Sequence, residues 1–96
     1  MHGEALEKVE GGKLLRIKAE FDDAIRKVMI NGDFFAHPEE SISEIEKLIN
    51  GSDSGFEEGE MAAKIRELVE KRGYELIGIN PEAIARVLKN AVRGAR

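Results

Sequence analysis

The chain contains no cysteine and no tryptophan, and it has only two histidines and two prolines among its 96 residues. Without cysteine there is no disulfide framework, no thiolate metal site and no sulfur-transfer chemistry. No apolar run approaches the roughly 18–20 residues that a membrane helix needs. The first residues, Met1-His2-Gly3-Glu4, do not resemble a signal peptide. We therefore expect a cytoplasmic protein with no membrane partner.

The composition is that of one folded domain. Hydrophobic residues make up 42% of the chain and charged residues 35%, which argues against disorder. A chain of this length buries roughly 60–70% of its unfolded surface, enough for a modest core. We expect residues 1–96 to form a single domain.

The net charge is −4, but acidic and basic residues are distributed unevenly along the chain. Residues 37–60 carry one basic and eight acidic side chains, whereas residues 61–96 carry eight basic and four acidic ones. Neutralising nucleic-acid phosphates requires a basic face throughout the contact, and the acidic middle interrupts such a face. A nucleic-acid partner is therefore unlikely, although the basic C-terminal part leaves that class open.

Apolar and polar side chains alternate in two consecutive segments, residues 13–21 and residues 24–34. A period of two is typical of half-buried β-strands. A two-residue aspartate loop between the segments would pair Ile17 with Val28. That register places both apolar sets on one face, as a single buried side requires.

Gly11-Gly12 is a second hairpin signal, because glycine accepts the positive φ that tight turns need. Residues 4–10 would then form a further strand, whose many charges suit a sheet edge. The sequence predicts a three-stranded antiparallel meander.

Three amphipathic segments follow and predict helices at about 38–50, 58–72 and 81–93. Pro38 suits the first position of the first helix. A short apolar connector at residues 76–79 can be extended. The predicted fold is α+β in two layers, with the helices packed on one face of the sheet.

Catalytic signals are weak. Neither His2 nor His37 belongs to a metal-binding spacing, so no metal site is predicted. Asp33 and His37 could form an acid–base pair, but caps for the helix predicted at Pro38 are favoured. The carboxylates of Glu57, Glu58 and Glu60 suit a solvated first helical turn. Gly11-Gly12-Lys13 is too short for a phosphate loop and precedes a strand.

The corner Gly32-Asp33-Phe34-Phe35 is the most informative feature for binding. Alternation places Phe34 in the core with Val28 and Ile30, and it places Phe35 on the other sheet face. That second face also carries Leu14, Ile25 and Met29, which is too much apolar surface for a fully wet side. Either a partner protein or the chain's own segments should cover it.

A basic stripe formed by Arg86, Lys89 and Arg93 lies opposite the apolar stripe of the last predicted helix. A solvated face that complements the helix C-terminus is the favoured interpretation. Contact with an anion or an acidic partner is the alternative.

Taken in order, these motifs resemble the C-terminal accessory domain of lipoate–protein ligases. The resemblance rests on GGKLLRI, on AIRKVMINGDFFAHPEE, and on Gly78-Ile79-Asn80-Pro81-Glu82-Ala83-Ile84, and it covers nearly the whole chain. The turn before Ala24 lacks the family's frequent Asp-Gly. The large ligase domain is absent from the sequence, so we expect the separately encoded accessory subunit.

The resemblance implies a subunit that is inactive alone. A catalytic partner would bind lipoate and MgATP, form lipoyl-adenylate and transfer the lipoyl group to an acceptor lysine, while this chain would bind no cofactor by itself. The implied acceptors are the E2 components of 2-oxoacid dehydrogenases and the glycine-cleavage H protein. The candidates for the partner interface, or for support of the partner's active site, are Gly11, Gly12, Lys13, Gly32, Asp33, Phe34 and Phe35. Arg86, Lys89 and Arg93 are secondary candidates for the same role.

Two other classes of function remain open. One is a small protein-binding scaffold with the layout of sulfur-cluster-assembly proteins, but without their sulfur chemistry. The other is a nucleic-acid-binding module that uses the basic stripe, against which the acidic middle and the few aromatic residues both argue.

Overall fold

The protein is described here from a computed structural model, which covers residues 1–9 and 11–94. Two β-sheets and three helices occupy these residues. In chain order, the elements are β1 (His2–Val9), β2 (Lys13–Phe21), β3 (Ile25–Gly32), β4 (Phe35–His37), α1 (Ser41–Ile49), α2 (Glu58–Arg72), β5 (Glu75–Ile77) and α3 (Pro81–Arg93).

The predicted α+β fold is confirmed. β1, β2 and β3 form an antiparallel meander in that spatial order, with β1 at an edge. The bounds of β2, α2 and α3 match the prediction. β1 begins earlier than predicted, at His2, and the predicted last residue of that strand, residue 10, lies outside the described residues. Gly11 and Gly12 make the turn to β2 with φ of 96° and 87°.

The register between β2 and β3 differs from the prediction by two residues. Ile17 pairs with Ile30, and Val28 pairs with Ala19. Because side chains alternate with a period of two, this even shift keeps every one of these residues on the same face. The predicted buried face was therefore right although its register was wrong.

A bulge near the start of β3 corrects a second prediction. The pairing shifts by one residue between Glu20 and Phe21, so that Phe21 faces Ile25. An extra residue in one strand reverses the parity of everything beyond it. Ile25, predicted on the outer face with Met29, is consequently fully buried.

The inner face of the sheet is covered chiefly by α3, which packs against β1, β2 and α2. Its buried side chains include three alanines, Ala83, Ala85 and Ala91. Leu15 and Ile17 of β2 are also fully buried. α1 packs on β3, and α2 packs against α1 and α3, so the core lies between the sheet and the helices.

The first helix begins at Ser41, and the prediction that Pro38 starts it was wrong. Residues 35–37 instead form β4, which pairs antiparallel with β5. A residue before proline is biased towards extended backbone, which suits His37 as the end of a strand. The carbonyl oxygen of Pro38 then accepts hydrogen bonds from both the backbone N–H (3.0 Å) and the hydroxyl (2.7 Å) of Ser41.

The other two helices start with side-chain caps. The Glu57 carboxylate accepts from the N–H groups of Gly59 and Glu60, which makes it the N-cap of α2. The Asn80 side chain accepts from the Ala83 N–H at 2.7 Å, directly before Pro81. Both caps satisfy donors that a helix leaves unpaired at its first turn. Within the described ranges, no helix combines the length and the apolar character needed to cross a membrane.

A bidentate ion pair fixes α3 to the edge strand β1. Arg86 Nε lies 3.0 Å from Glu7 Oε1, and Arg86 Nη2 lies 2.5 Å from Glu7 Oε2. The hydrogen bonds from Arg86 lower the pKa of the Glu7 carboxyl below its ordinary value, against an opposing effect of burial. A carboxyl whose pKa is lowered by folding stabilises the fold above its ordinary pKa, and this contribution is lost in acid.

We predict that Glu7→Gln destabilises the protein at neutral pH by about 1 kcal/mol, a value kept small because the Arg86 side chain is 43% exposed. The difference from wild type should shrink as the pH falls from the ordinary carboxyl pKa of about 4 through the lower pKa of the folded state, below which the wild-type carboxyl is protonated in both states. Urea unfolding of both proteins at neutral pH and in acid measures this difference in the free energy of unfolding. Glu4→Gln, at an exposed pair with Arg16 (3.5 Å), is the control and should change less. A pH-independent difference would contradict the prediction.

Candidate partner-binding site

The structure brings the two glycine-containing motifs together at one end of the sheet. The Asp33 carboxylate accepts a hydrogen bond from the Leu14 N–H, and the Asp33 N–H donates to the Leu14 carbonyl oxygen at 3.2 Å. Asp33 thus fastens the chain after β3 to the start of β2. The residues that follow Gly11-Gly12 therefore lie beside the corner that begins at Gly32.

Gly32 is required where these two segments meet. A Cβ atom at this position would overlap the backbone carbonyl of Leu14 and would also press on the Phe34 ring. Backbone atoms of a paired strand cannot move aside as a flexible side chain can. The close approach of two backbones therefore requires glycine at position 32.

Lys13 is positioned by a second glycine, Gly78, which belongs to a motif found in the sequence but was not predicted as a site residue. A Cβ on Gly78 would lie 2.5 Å from Lys13 Cγ, and Gly78 also has a φ of +92°. The lysine stem therefore runs over a position where only glycine leaves room. This contact joins the Gly11-Gly12 turn to the segment that follows β5.

The two phenylalanines of the corner have different surroundings. Phe34 is half-buried and packs against the core cluster, whereas Phe35 is 67% exposed. Phe35 pairs directly with Ile77 of β5, which is 51% exposed. Directly opposite residues of an antiparallel pair have Cβ atoms about 4.5–5.5 Å apart, so the two form one apolar pair at the surface. We call residues 11–14, 32–35 and 77–78 the corner surface.

Asp33 and His37 do not form an acid–base pair. The Asp33 carboxylate is occupied by the Leu14 N–H, and His37 lies exposed in β4 opposite Glu75. Neither residue caps α1, which begins at Ser41, so that interpretation was also wrong. In the part of the chain that the structure describes, no three His, Asp or Glu side chains are grouped to hold a metal ion.

Two of the three basic side chains of the predicted stripe have partners within the chain. Arg86 binds Glu7. The Lys89 ammonium donates to the Phe56 carbonyl oxygen and lies 4.6 Å from the centre of the Phe56 ring. Arg93 is exposed at the end of α3. Arg86 and Lys89 thus hold α3 to β1 and to the loop before α2, rather than presenting free cations.

The outer face of the sheet carries an open groove that crosses β1, β2 and β3 and reaches Gly94 at the end of α3. Side chains of both charge signs alternate along it, together with Met29, which is 45% exposed. Such a mixture does not select one kind of ion. The side chains and backbone that line it belong to His2, Gly3, Glu4, Lys18, Ala19, Glu20, Lys27, Met29 and Gly94.

Comparison with known proteins finds a match among solved structures. The chain is similar to a chain from an archaeal lipoylation system of Thermoplasma acidophilum, described as a bi-partite lipoate protein ligase and its E2 lipoyl domain. The two share 28% sequence identity and superpose with a TM-score of 0.76, over 92% of this chain and 94% of the other. No family model and no curated protein matches the chain. The resemblance to lipoate–protein ligase accessory domains is thereby confirmed.

The two corner phenylalanines should differ in their effect on stability. Phe34→Ala should lower the free energy of unfolding by about 2–3 kcal/mol, less than for a fully buried ring, because it removes only a half-buried one. Phe35→Ala removes an exposed ring and should cost less than about 0.5 kcal/mol. Urea unfolding of both variants measures this, and equal destabilisation would show that Phe35 is a core residue.

Proposed function

We propose that this chain is the non-catalytic accessory subunit of a two-component, ATP-dependent lipoate–protein ligase. The observation that carries the proposal is the similarity to a chain of the bi-partite ligase system, which extends over 92% of the sequence. The arrangement of side chains agrees with it. The chain offers an exposed apolar pair and a positioned lysine, while its Asp33 and His37 side chains are not arranged for proton transfer.

In this proposal the catalytic subunit binds lipoate and MgATP. The lipoate carboxylate attacks the α-phosphate of ATP, pyrophosphate leaves, and lipoyl-adenylate forms. A lysine amine of the acceptor domain then attacks the acyl carbon and AMP leaves. The acceptors are E2 lipoyl domains of 2-oxoacid dehydrogenases and the glycine-cleavage H protein, and the two subunits form a heterodimer in the cytoplasm.

The accessory chain supports adenylate formation by binding the state of the catalytic subunit in which its substrate loops are ordered. A ligand shifts a conformational equilibrium only by its difference in affinity for the two states. When the competent state is a minor one, binding that state selectively raises its population and thus the rate. This role requires a surface and no reactive group on the accessory chain.

The corner surface is the proposed contact. Interfaces are commonly anchored by a few aromatic or arginine side chains near their centre, with polar groups at the rim. Phe35 and Ile77 supply an exposed apolar centre, and Lys13 supplies a cation beside it. Asp33 and Gly32 fix the two segments relative to each other, so the contact is formed before the partner binds.

The division of labour between the subunits is tested by reconstitution. The chain alone, incubated with ATP, Mg²⁺, lipoate and an E2 lipoyl domain, should release no pyrophosphate and leave the acceptor mass unchanged. Addition of the catalytic ligase subunit from the same organism should give lipoylated acceptor, at a higher rate than that subunit gives alone. Lipoylation by this chain by itself, or no stimulation of the catalytic subunit, would contradict the proposal.

Substitutions on the corner surface separate binding from folding. Phe35→Ala should weaken association with the catalytic subunit by about 1–3 kcal/mol, because it removes an interface anchor. Lys13→Ala should reduce stimulation of the ligase while leaving the melting temperature unchanged. A binding titration, the pyrophosphate assay and a thermal melt measure these effects.

Matched controls lie on the outer sheet face, away from the corner surface. Met29→Ala removes an exposed apolar side chain and Lys27→Ala an exposed lysine, and neither should affect binding or stimulation. If Phe35→Ala and Lys13→Ala behave like these controls, the corner surface is not the contact, even if reconstitution succeeds.

A further inference from the structure

The edge strand β1 has a free side, along which its backbone groups have no partner among the described residues. Met1 and Phe21 exchange two hydrogen bonds of 2.9 Å, which identifies them as a hydrogen-bonded pair. Because such pairs alternate along an antiparallel ladder, the odd-numbered residues of β1 bond to β2. The N–H and C=O groups of the even-numbered residues therefore point away from the sheet. These residues are His2, Glu4, Leu6 and Lys8, and no hydrogen bond between described residues uses those groups.

The opposite edge of the sheet is covered. The Ile25 N–H donates to the Ser52 carbonyl oxygen at 2.8 Å, and the Ile25 carbonyl oxygen accepts from Gly51 at 2.7 Å. Further along β3, the Ile30 N–H donates to the Glu46 carboxylate of α1 at 2.8 Å. A strand that adds to the β3 edge would have to displace these contacts, whereas β1 offers groups that no described residue bonds.

We propose that two copies of the free chain pair their β1 strands antiparallel about a twofold axis at Leu6, which extends the sheet to six strands. In this register Leu6 faces Leu6 of the second copy, Glu4 faces Lys8, and Lys8 faces Glu4. All of these residues present free N–H and C=O groups at the edge, as hydrogen-bonded pairs require. The pairing is isologous, so both copies use the same surface.

Charge complementarity selects a second copy as the occupant of this edge. Opposite charges directly across an antiparallel pair stabilise it, and like charges destabilise it. The order Glu4-Ala5-Leu6-Glu7-Lys8 is complementary to itself at the outward positions when it is reversed. Charged residues on an edge strand discourage pairing with an arbitrary strand, so the same two charges that favour a copy act against other sequences.

The side chains on the inner face of the paired strands are also compatible with this register. Ala5 would face Glu7 of the second copy, and Gly3 would face Val9, so each pair joins a small residue to a larger one. Glu7 retains its bidentate contact with Arg86, and its charge stays compensated. At the centre, Leu6 is 53% exposed in the single chain and becomes covered by its counterpart. None of these residues belongs to the corner surface, so the pairing does not depend on the proposed function.

The test is sedimentation velocity of the full chain over a wide range of concentrations, without any partner. Wild type should show a reversible monomer–dimer equilibrium. Glu4→Lys places lysine opposite Lys8, and Lys8→Glu places glutamate opposite Glu4, each at two symmetric positions. Either single variant should raise the dimer dissociation constant about tenfold or more.

Rescue distinguishes the interface from a general loss of structure. An equimolar mixture of the Glu4→Lys and Lys8→Glu variants restores both complementary pairs and should dimerise as wild type does. The double variant should dimerise on its own. Glu20→Lys and Lys27→Glu reverse charges on the same sheet face but away from the free edge, and they should leave the dimer unchanged. Thermal melts verify that each variant is folded.

Three results would overturn the proposal. These are a wild-type chain that stays monomeric at every concentration, a dimer that neither single variant weakens, and a mixture that remains monomeric although both variants are folded. None of these outcomes bears on whether the chain stimulates a ligase.

Discussion

The close packing of α3 against β1 and β2 is the contact on which the remaining structure depends. A sheet with one apolar face has to bury that face against another layer. α3 packs on β1 and β2, and Leu15 and Ile17 of β2 are fully buried in the resulting core. The Glu7–Arg86 pair fixes the helix along the strand. With α3 in place, α2 has a surface on which to pack.

The sequence predicted the parts of the fold that depend on local periodicity. β2, α2 and α3 were placed at their observed bounds because their apolar spacing and their stops agree. The register between β2 and β3 was not predictable in the same way, since a shift of two residues leaves every side chain on its face. The bulge that buries Ile25 shows in the sequence only as a break in parity between Ile25 and Val28, which strict alternation assigns to opposite faces. β5 was predicted only as a connector that can be extended, and β4 was not predicted, because each has three residues and they pair across a long stretch of chain.

The candidate site was predictable in its residues but not in its connections. The glycine turn and the phenylalanine corner could be selected from the sequence, and the structure joins them through Asp33 and Leu14. Ile77 and Gly78 were missed as site residues because their neighbours in the site are distant in sequence. The apolar connector and the glycine before Ile79 were the available signals. Arg86 and Lys89 were recognised as basic, but periodicity does not reveal that Glu7 and Phe56 hold them.

The two edges of the sheet differ in whether their backbone groups are already hydrogen-bonded. This difference limits how many copies of the chain can join through this sheet. On the β3 side, the loop after α1 and the Glu46 carboxylate occupy backbone groups that a further strand would need. Each chain can therefore accept one further strand in this sheet, at β1. Chains that join in this way form a closed pair and cannot propagate into a filament through this sheet, because pairing uses the β1 edge of both copies. The contacts made by Glu46 and the loop oppose the addition of another strand at the β3 edge. This role is separate from any contribution they make to the stability of a single molecule.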